Sequence, residues 1–245
     1  MGNRDLLRGL SSQQKTRIVK KSNQDIAVLI SGGMDSCILL WDFSRKYRRA
    51  YPLYIRTGLQ WEKVELYWLR RFLKAMPDGI DSIQKMTVLN LPVGDLYHRH
   101  WSLTGHNVPD DQSDDLSVYL PGRNLLLLTK AALFCAIHHI GTLALAPLKG
   151  NPFPDSTRTF FRAFEKAASV GLDFPISILT PYRHLTKEEV IRKGQSLPLE
   201  MTFSCIQPSE KYHCGLCNKC AERQKAFKRA GIPDKTIYQG RWHPK

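Results

Sequence analysis

One stretch of the chain decides the fold: IAVLISGGMDSCILLWDF, at residues 26–43. It opens with consecutive aliphatic residues, which predict a buried β-strand. The apolar residues after Asp35 follow helical spacing, so the glycine pair stands at a strand-to-helix turn. Glycine permits backbone conformations that other residues resist, and unpaired N–H groups at the start of a helix attract anions. The stretch therefore predicts a seat for phosphate groups.

Two common phosphate-binding loops do not fit this turn, since neither G-x-x-x-x-G-K-[ST] nor G-x-G-x-x-G occurs in it. The pattern S-G-G-x-D-S is instead similar to the PP-loop of ATP pyrophosphatases, which grip the β and γ phosphates and pass AMP to an oxygen of the substrate. The alternative is an ordinary glycine-rich turn. The predicted nucleotide-binding residues here are Ser31, Gly32, Gly33, Met34, Asp35 and Ser36.

Short apolar runs alternate with helical patterns along the chain. This alternation predicts an α/β fold, with a doubly wound, parallel, five-stranded sheet and helices on both faces. Thr186 and Glu189 form a capping-box pattern at the start of one helix. The predicted strands are 26–30, 51–55, 86–91, 142–146 and 176–179, and the predicted helices are 35–47, 62–75, 125–138, 157–169, 187–193 and 218–230.

Four of the six cysteines crowd into the C-terminal part of the chain. Two consecutive C-x-x-C spacings let a tight turn present thiolates to one tetrahedral zinc ion at about 2.3 Å. Four thiolates with none left over predict a closed structural site, with His213 as a bystander. An iron–sulfur cluster is the alternative, because thiolates bind both. The predicted metal ligands are Cys205, Cys214, Cys217 and Cys220.

The chain is strongly basic: its 245 residues include 36 Lys and Arg against 22 Asp and Glu, a net charge of +14. Such an excess suits either a nucleic-acid partner or an enzyme that binds several phosphates. The concentration of Lys and Arg in residues 4–21 is interpreted as a solvated tail in preference to a nucleic-acid arm. No stretch has the length and apolar character of a membrane span or a signal peptide, so a cytoplasmic location is expected.

Three regions are predicted from these patterns. A basic N-terminal extension covers residues 1–24, and a PP-loop ATP-binding α/β domain covers residues 25–200. A small helical annex with the four-cysteine zinc site covers residues 201–245. The boundary near residue 200 rests on the jump in cysteine density there.

Four segments, in this order, resemble a known family: SGGMDS, VYLPGRNLLLLTKAAL, FPDSTRTFFRAFEKA and FSCIQPSEKYHCGLCNKCAERQKAFKRAGIPD. Together they are similar to the 7-cyano-7-deazaguanine synthase (QueC) family of the PP-loop superfamily, over roughly residues 25–239. The cysteine segment, C-x-x-C-x-x-C-x-E-R-x-x-A-F, is the most specific part. SGG-DS alone would mark only the superfamily.

The resemblance implies an adenine nucleotide alpha hydrolase-like fold and an ATP-dependent C–N ligase of queuosine biosynthesis. Members of the family convert 7-carboxy-7-deazaguanine to the nitrile with ammonia and two ATP, and they are commonly homodimers. The expected cofactors are ATP, Mg²⁺ and Zn²⁺, and free ammonia or a partner protein supplies the nitrogen. By resemblance, Gly122, Arg123 and Asn124 form a second loop beside the nucleotide.

Adenylation gathers negative charge on phosphate in its transition state, and fixed cations lower that barrier. The candidate catalytic cations are Arg123, Lys149 and Arg158. Each could instead be a surface charge or a helix-end partner. Asp155 and Arg158 are the candidates for contact with the acid substrate.

The region after the fourth predicted strand departs from the family pattern. It reads LALAPLKGNPFPDSTR, where family members have an acidic residue and a Y-P-D-C-R string, and Lys149 stands near the position of that acid. A carboxylate there would accept N–H groups of a guanine-like base, which a lysine cannot do. The alternative function is therefore a divergent PP-loop enzyme. It would activate a related acid, or modify tRNA, DNA or protein with a deazapurine or through an adenylated intermediate.

Overall fold

A computed structural model describes residues 22–77 and 81–240 of the chain. The basic extension predicted for residues 1–24 therefore lies outside the described residues, apart from its last three. Within these ranges the chain forms a sheet of five strands. They are β1 (Ser22–Leu29), β2 (Tyr47–Arg56), β3 (Thr87–Asn90), β4 (Thr142–Ala144) and β5 (Ser177–Leu179).

Helices connect and flank these strands, and none in the described part of the chain has the length and apolar character that crossing a bilayer requires. They are α1 (Met34–Ser44), α2 (Glu62–Lys74), α3 (Gly94–Tyr97), α4 (Trp101–Thr104), α5 (Arg123–Ile137), α6 (Arg158–Gly171), α7 (Lys187–Lys193) and α8 (Asn218–Ala230), with 3-10 turns at Asp115–Val118, Pro154–Ser156 and Leu199–Met201.

The strand order is β3-β2-β1-β4-β5, and every strand pair is parallel. The chain first builds the sheet outward from β1 to β3 and then crosses back to place β4 on the other side of β1. This reversal leaves a crevice between the carboxyl ends of β1 and β4, where open parallel sheets bind ligands. The order confirms the predicted doubly wound, five-stranded α/β fold.

Successive residues of β1 point to opposite faces of the sheet, and a buried cluster of apolar side chains covers each face. Ile26 and Val28 belong to a buried cluster with Ile38 of α1 and Phe227 of α8. Ala27 and Leu29 belong to a second cluster, which includes residues of α5 and α6. Helix α8, which contains the last of the four cysteines, therefore packs on the central sheet, while the division into domains near residue 200 stays a prediction.

The predicted bounds are most accurate at the C-terminal end. Helices α7 and α8 begin and end at the predicted residues, and the capping box at Thr186 is present. The helix predicted for 35–47 instead ends at Ser44, because Tyr47 already pairs with Ser22 at the start of β2. The short helices α3 and α4 were not predicted, since four residues are too few to show a periodicity.

Arg223 of α8 is fully buried and joins the C-terminal segment to the rest of the protein. Its guanidinium group donates to the Leu199 carbonyl oxygen (2.7 Å), to Thr202 Oγ1 (2.9 Å) and to Thr236 Oγ1 (3.0 Å). It also lies over the Phe227 ring, 5.3 Å from its centre. A buried cation is thus satisfied by neutral acceptors from two separate segments, residues 199–202 and the segment that contains Thr236.

We expect Arg223→Met to lower the free energy of unfolding by about 3 kcal/mol or more, because buried acceptors lose their donor. Urea unfolding followed by circular dichroism measures this loss. Arg229→Met is the matched control, since that side chain is 71% exposed on the same helix. Its expected change is within about 0.5 kcal/mol. Equal losses in the two variants would contradict the bridging role of Arg223.

Candidate active site

The loop after β1 is folded so that the first turn of α1 keeps free donors. Ser36 Oγ donates to the Gly33 carbonyl oxygen (3.1 Å) and accepts the Ser31 N–H (3.1 Å), which closes the loop on itself. Gly33 occupies the N-cap position, and no side chain caps this end of the helix. The N–H groups there can bind an anion, and the helix dipole favours negative charge at the same place.

Gly32 allows this loop to lie directly against α2. Its backbone has φ +75°, a left-handed conformation that favours glycine. A Cβ atom at this position would stand 2.9 Å from Glu65 Cγ, closer than carbon atoms pack. The first glycine of the pair is therefore required by both the turn and the approach of the helix.

A cavity of about 250 Å³ opens at the crevice between β1 and β4. The loop of Ser31–Ser36 lines one side of it, and residues of α5 and of the segment after β4 line the other. Asp35 Oδ1, Arg123 Nε and Ser156 Oγ, from its lining residues, are buried without a hydrogen-bond partner in the described structure. Buried polar atoms are normally satisfied, so a polar ligand with both anionic and cationic parts fits this cavity.

Arg123 is positioned by the start of α5. Gly122 takes the N-cap position with φ +71°, and Arg123 is the first residue of the helix. Asp155 caps the same turn, since its Oδ2 accepts the Asn124 N–H at 2.8 Å. Asn124 Nδ2 donates in return to the Asp155 carbonyl oxygen at 3.0 Å. Asp155 thus lines the cavity while one of its oxygens holds α5 in place.

Asp35 belongs to an ion network that the sequence analysis did not predict. Lys187 Nζ stands 3.4 Å from Asp35 Oδ2 and 2.7 Å from Glu222 Oε1, and Lys219 Nζ lies 2.8 Å from Glu222 Oε2. Burial raises the pKa of Asp35, and the Lys187 ammonium group opposes this shift. Burial also acts against ionisation of Glu222, but the two lysines lower its pKa to about 2. The C-x-E-R string after the last cysteine was the only sequence signal for this network.

Two buried glutamates of α2 also line the cavity, and the sequence analysis did not single them out. Glu62 accepts the N–H groups of Thr57 and Gly58 and the Thr57 hydroxyl, so its carboxylate orders the end of β2. Burial raises the pKa of Glu65 to about 8, and the nearby Arg123 guanidinium acts in the opposite direction. A carboxyl group that titrates near neutral pH can exchange protons with a bound ligand.

The four cysteine sulfurs form the candidate metal centre. All four Sγ atoms lie within 4.8 Å of one another, with 3.8 Å between Cys205 and Cys217 and 3.9 Å between Cys214 and Cys220. A tetrahedral ion with metal–sulfur bonds of about 2.3 Å would separate its ligands by about 3.8 Å. Backbone N–H groups donate to Cys205 Sγ and Cys214 Sγ, which favours the thiolate form. The cluster fits one metal ion.

The residues around the cluster have structural partners of their own. His213 Nε2 accepts the Ser204 N–H at 3.1 Å, and the ring packs 4.5 Å from Phe203. In the described ranges, the group of side chains with metal-binding geometry comprises the four cysteines alone. Gly215 permits the turn between two of them, because a Cβ there would stand 2.1 Å from the Gly240 carbonyl oxygen.

Comparison with known proteins identifies the family of this chain. The sequence model of the family described as Queuosine biosynthesis protein QueC matches residues 25–231. This chain belongs to the QueC family. The 7-cyano-7-deazaguanine synthase of Porphyromonas gingivalis is 29% identical to it over 225 residues, which cover 89% of this chain and 98% of that protein. The enzymes of that name from Anaeromyxobacter sp. and Methanosphaerula palustris are 30% and 31% identical, covering 90% and 86% of this chain and 99% and 97% of the relatives.

In this QueC-family chain the predicted site residues do not all meet. Ser31, Gly33, Asp35 and Ser36 line the cavity together with Arg123, Asn124 and Asp155. Gly32, Met34 and Gly122 shape the two loops from behind the lining. Lys149 and Arg158 are exposed and lie outside the lining, so their catalytic role stays a prediction.

Glu65 gives the stability of this protein a testable pH dependence. In the folded protein the pKa of Glu65 is about 8, whereas its ordinary value is 4.5. Between these values the folded state binds more protons, so this group lowers the free energy of unfolding as pH rises, by at most about 1.4 kcal/mol per pH unit. Glu65→Gln removes the effect, and its stability relative to the original protein should rise from about pH 5 to about pH 8.

Urea unfolding at about pH 5, 6.5 and 8 measures this difference. Glu210→Gln provides the control, because the Glu210 side chain is exposed. A stability difference for Glu65→Gln that stays constant across this range would show that Glu65 is not a buried, proton-binding group.

Proposed function

We propose that the chain catalyses the conversion of 7-carboxy-7-deazaguanine to 7-cyano-7-deazaguanine, with two ATP and one ammonia. Curated relatives that align along nearly the full length of the family fold carry the name of that activity. The observation that carries the proposal is the cavity at the strand reversal, which is lined by the uncapped start of α1 and by Asp35 and Arg123, each with a buried polar atom that has no hydrogen-bond partner in the described structure. These groups suit a triphosphate with its magnesium ion.

Each residue of the two loops receives a role in this proposal. The N–H groups of the first turn of α1, with the Ser31 hydroxyl, hold the β and γ phosphates, and Ser36, whose hydroxyl donates to the Gly33 carbonyl oxygen, keeps the loop closed around them. Asp35 would bind the magnesium ion through its unpartnered oxygen, and Lys187 keeps the opposite oxygen in place. Arg123 would stabilise the charge that develops on the α phosphate.

The reaction requires two activations of the same carbon. A carboxylate oxygen first attacks the α phosphorus of ATP and pyrophosphate leaves; ammonia then attacks the acyl carbon, AMP leaves, and the nitrogen loses a proton. The amide oxygen next attacks the α phosphorus of a second ATP and pyrophosphate leaves again; loss of AMP and of the two nitrogen protons then gives the nitrile. Glu65, whose pKa burial raises to about 8, can accept such a proton within the cavity when its carboxyl group is ionised.

The acid substrate is proposed to lie beside the segment after β4. Asp155 lines the cavity there, and Lys149 and Arg158 lie on either side of it in the chain at exposed positions. They would reach the substrate from the rim, which predicts a smaller contribution than that of Arg123. A homodimer is part of the same proposal and is tested by light scattering after size-exclusion chromatography.

The decisive experiment supplies purified protein with ATP, magnesium, an ammonium salt and the acid, and measures the products by liquid chromatography and mass spectrometry. We expect the nitrile with two AMP per molecule formed. Supplying the amide instead should give the nitrile with one AMP. Asp35→Asn and Arg123→Ala should each lower kcat/KM by about 100-fold or more, because each removes a charge that faces the phosphates.

Lys149→Ala and Arg158→Ala act as exposed comparisons and should lower kcat/KM by less than about tenfold. AMP release without a nitrile, or with another acid only, would refute the proposed substrate while leaving ATP use intact. No ATP consumption by a folded, metal-loaded protein would refute the proposal as a whole.

We infer that the four-cysteine centre binds zinc and has a structural role. Closed sets of four thiolates are typical of structural zinc sites, and binding of the zinc ion stabilises the fold. Cys214→Ser should reduce the zinc content, measured by plasma mass spectrometry, from one ion per chain to well below one, and should lower the melting temperature. Cys135→Ser is the control for zinc content and should retain one ion per chain, because that thiol is buried in the second core cluster away from the site. Iron with visible absorption near 400 nm in the purified protein would identify a cluster instead of zinc.

A further inference from the structure

The outer face of α2 carries a stripe of four cationic side chains and one tyrosine. Lys63, Tyr67, Arg70, Arg71 and Lys74 are all exposed, and their spacing of three or four residues places them on one side of the helix. With Arg56 at the end of β2 they line a groove of about 460 Å³. We call these six residues the α2 basic face.

Ion pairing does not explain this face. In the part of the chain that the structure describes, none of its five cations belongs to an ion pair with an acidic side chain. Glu62 borders the groove, but its oxygens accept hydrogen bonds from Thr57 and Gly58. Arg70 and Lys74 stand at i,i+4, an arrangement of like charges that destabilises an isolated helix by a few tenths of a kcal/mol.

Aromatic rings are interleaved with these cations. The Arg71 guanidinium lies over the rings of Tyr67 and Trp68, at 5.7 and 5.6 Å from their centres. Trp68 continues the surface to Tyr212, 6.4 Å away, and donates its indole N–H to the Lys211 carbonyl oxygen. Tyr67 is 41% exposed, so part of its ring is accessible to a partner.

We propose that the α2 basic face, which includes Tyr67, binds single-stranded nucleic acid together with the neighbouring rings of Trp68 and Tyr212. A cationic groove that follows the phosphates, beside aromatic rings on which bases stack, is the arrangement that such strands require. The stripe from Lys63 to Lys74 is about 16 Å long, which corresponds to roughly five nucleotides at the axial rise of a stacked strand. An anionic membrane would instead require projecting apolar side chains, and this face offers one tyrosine among its projecting residues.

The face adjoins the catalytic cavity without belonging to it. Glu62 lines both, so a bound strand would lie next to the cavity. Conversion of a small acid to a nitrile uses no polymer, and binding to this face goes beyond the proposed function. The two proposals can therefore fail separately, one in the product assay and the other in a binding assay.

The test measures fluorescence anisotropy of a labelled, unstructured RNA of about 12 nucleotides, at several potassium chloride concentrations between about 0.05 and 0.2 M. We expect Arg70→Glu with Lys74→Glu to weaken binding by about tenfold or more and to reduce the slope of log K against log salt by about 1 or more, since two phosphate contacts are lost. Tyr67→Ala should weaken binding about fivefold or more without changing that slope, because a stacking contact is lost.

The matched control is Arg162→Glu with Lys166→Glu. It replaces the same two residue types at the same i,i+4 spacing on the exposed side of α6. We expect it to change the affinity by less than about twofold at the higher salt concentration, where distant charges are screened. Equal losses in the two double variants would show that binding follows net charge alone and would overturn the proposal.

Two further outcomes would also overturn it: no binding of the RNA by the unmodified protein, or binding only to vesicles of phosphatidylserine and phosphatidylcholine. Thermal unfolding of each variant checks that the fold is kept. If the double variant of α2 does not fold, Lys63→Glu carries the same test, with an expected loss of about threefold or more and a slope reduced by about 0.7.

Discussion

The site depends on the close approach of the turn after β1 to helix α2. Because β1 is buried at the centre of a parallel sheet, its carboxyl end can open only toward the crevice beside β4. Gly32 lets the chain reverse there against Glu65, and α1 then starts with donors that no side chain caps. A residue with a side chain at Gly32 would push the turn and α2 apart, so the proposed phosphate seat and the cavity wall are set by one contact.

Charge is distributed unevenly around this seat. The cavity wall holds buried carboxyl groups of α1, α2 and the segment after β4, and Arg123 brings a cation to it. Burial keeps Glu65 protonated near neutral pH, while Glu222 stays ionised between two lysines. One set of acidic residues therefore includes a group that can exchange protons near neutral pH, a candidate metal ligand and a counter-ion, according to what each side chain faces.

The fold and the two loops could be predicted from the sequence because their signals are local. An aliphatic run before SGGMDS, a capping box at Thr186 and paired C-x-x-C spacings each report on neighbours in the chain. The groups that were missed act through distant partners: Lys187 meets Asp35, and Arg223 meets Leu199 and Thr236. Lys149 and Arg158 show the converse, since a motif position does not reveal whether a side chain reaches a cavity or faces solvent.

Helix α8 begins at the cysteine cluster and ends in the core of the sheet. Cys217 is its N-cap and Cys220 lies in its first turn, while Glu222, two residues on, holds Lys187 against Asp35. Any ion bound by the four thiolates and any nucleotide held near Asp35 would thus both act on helix α8. If binding of either stiffens that element, thermodynamic reciprocity requires each ligand to tighten the other's affinity by the same factor.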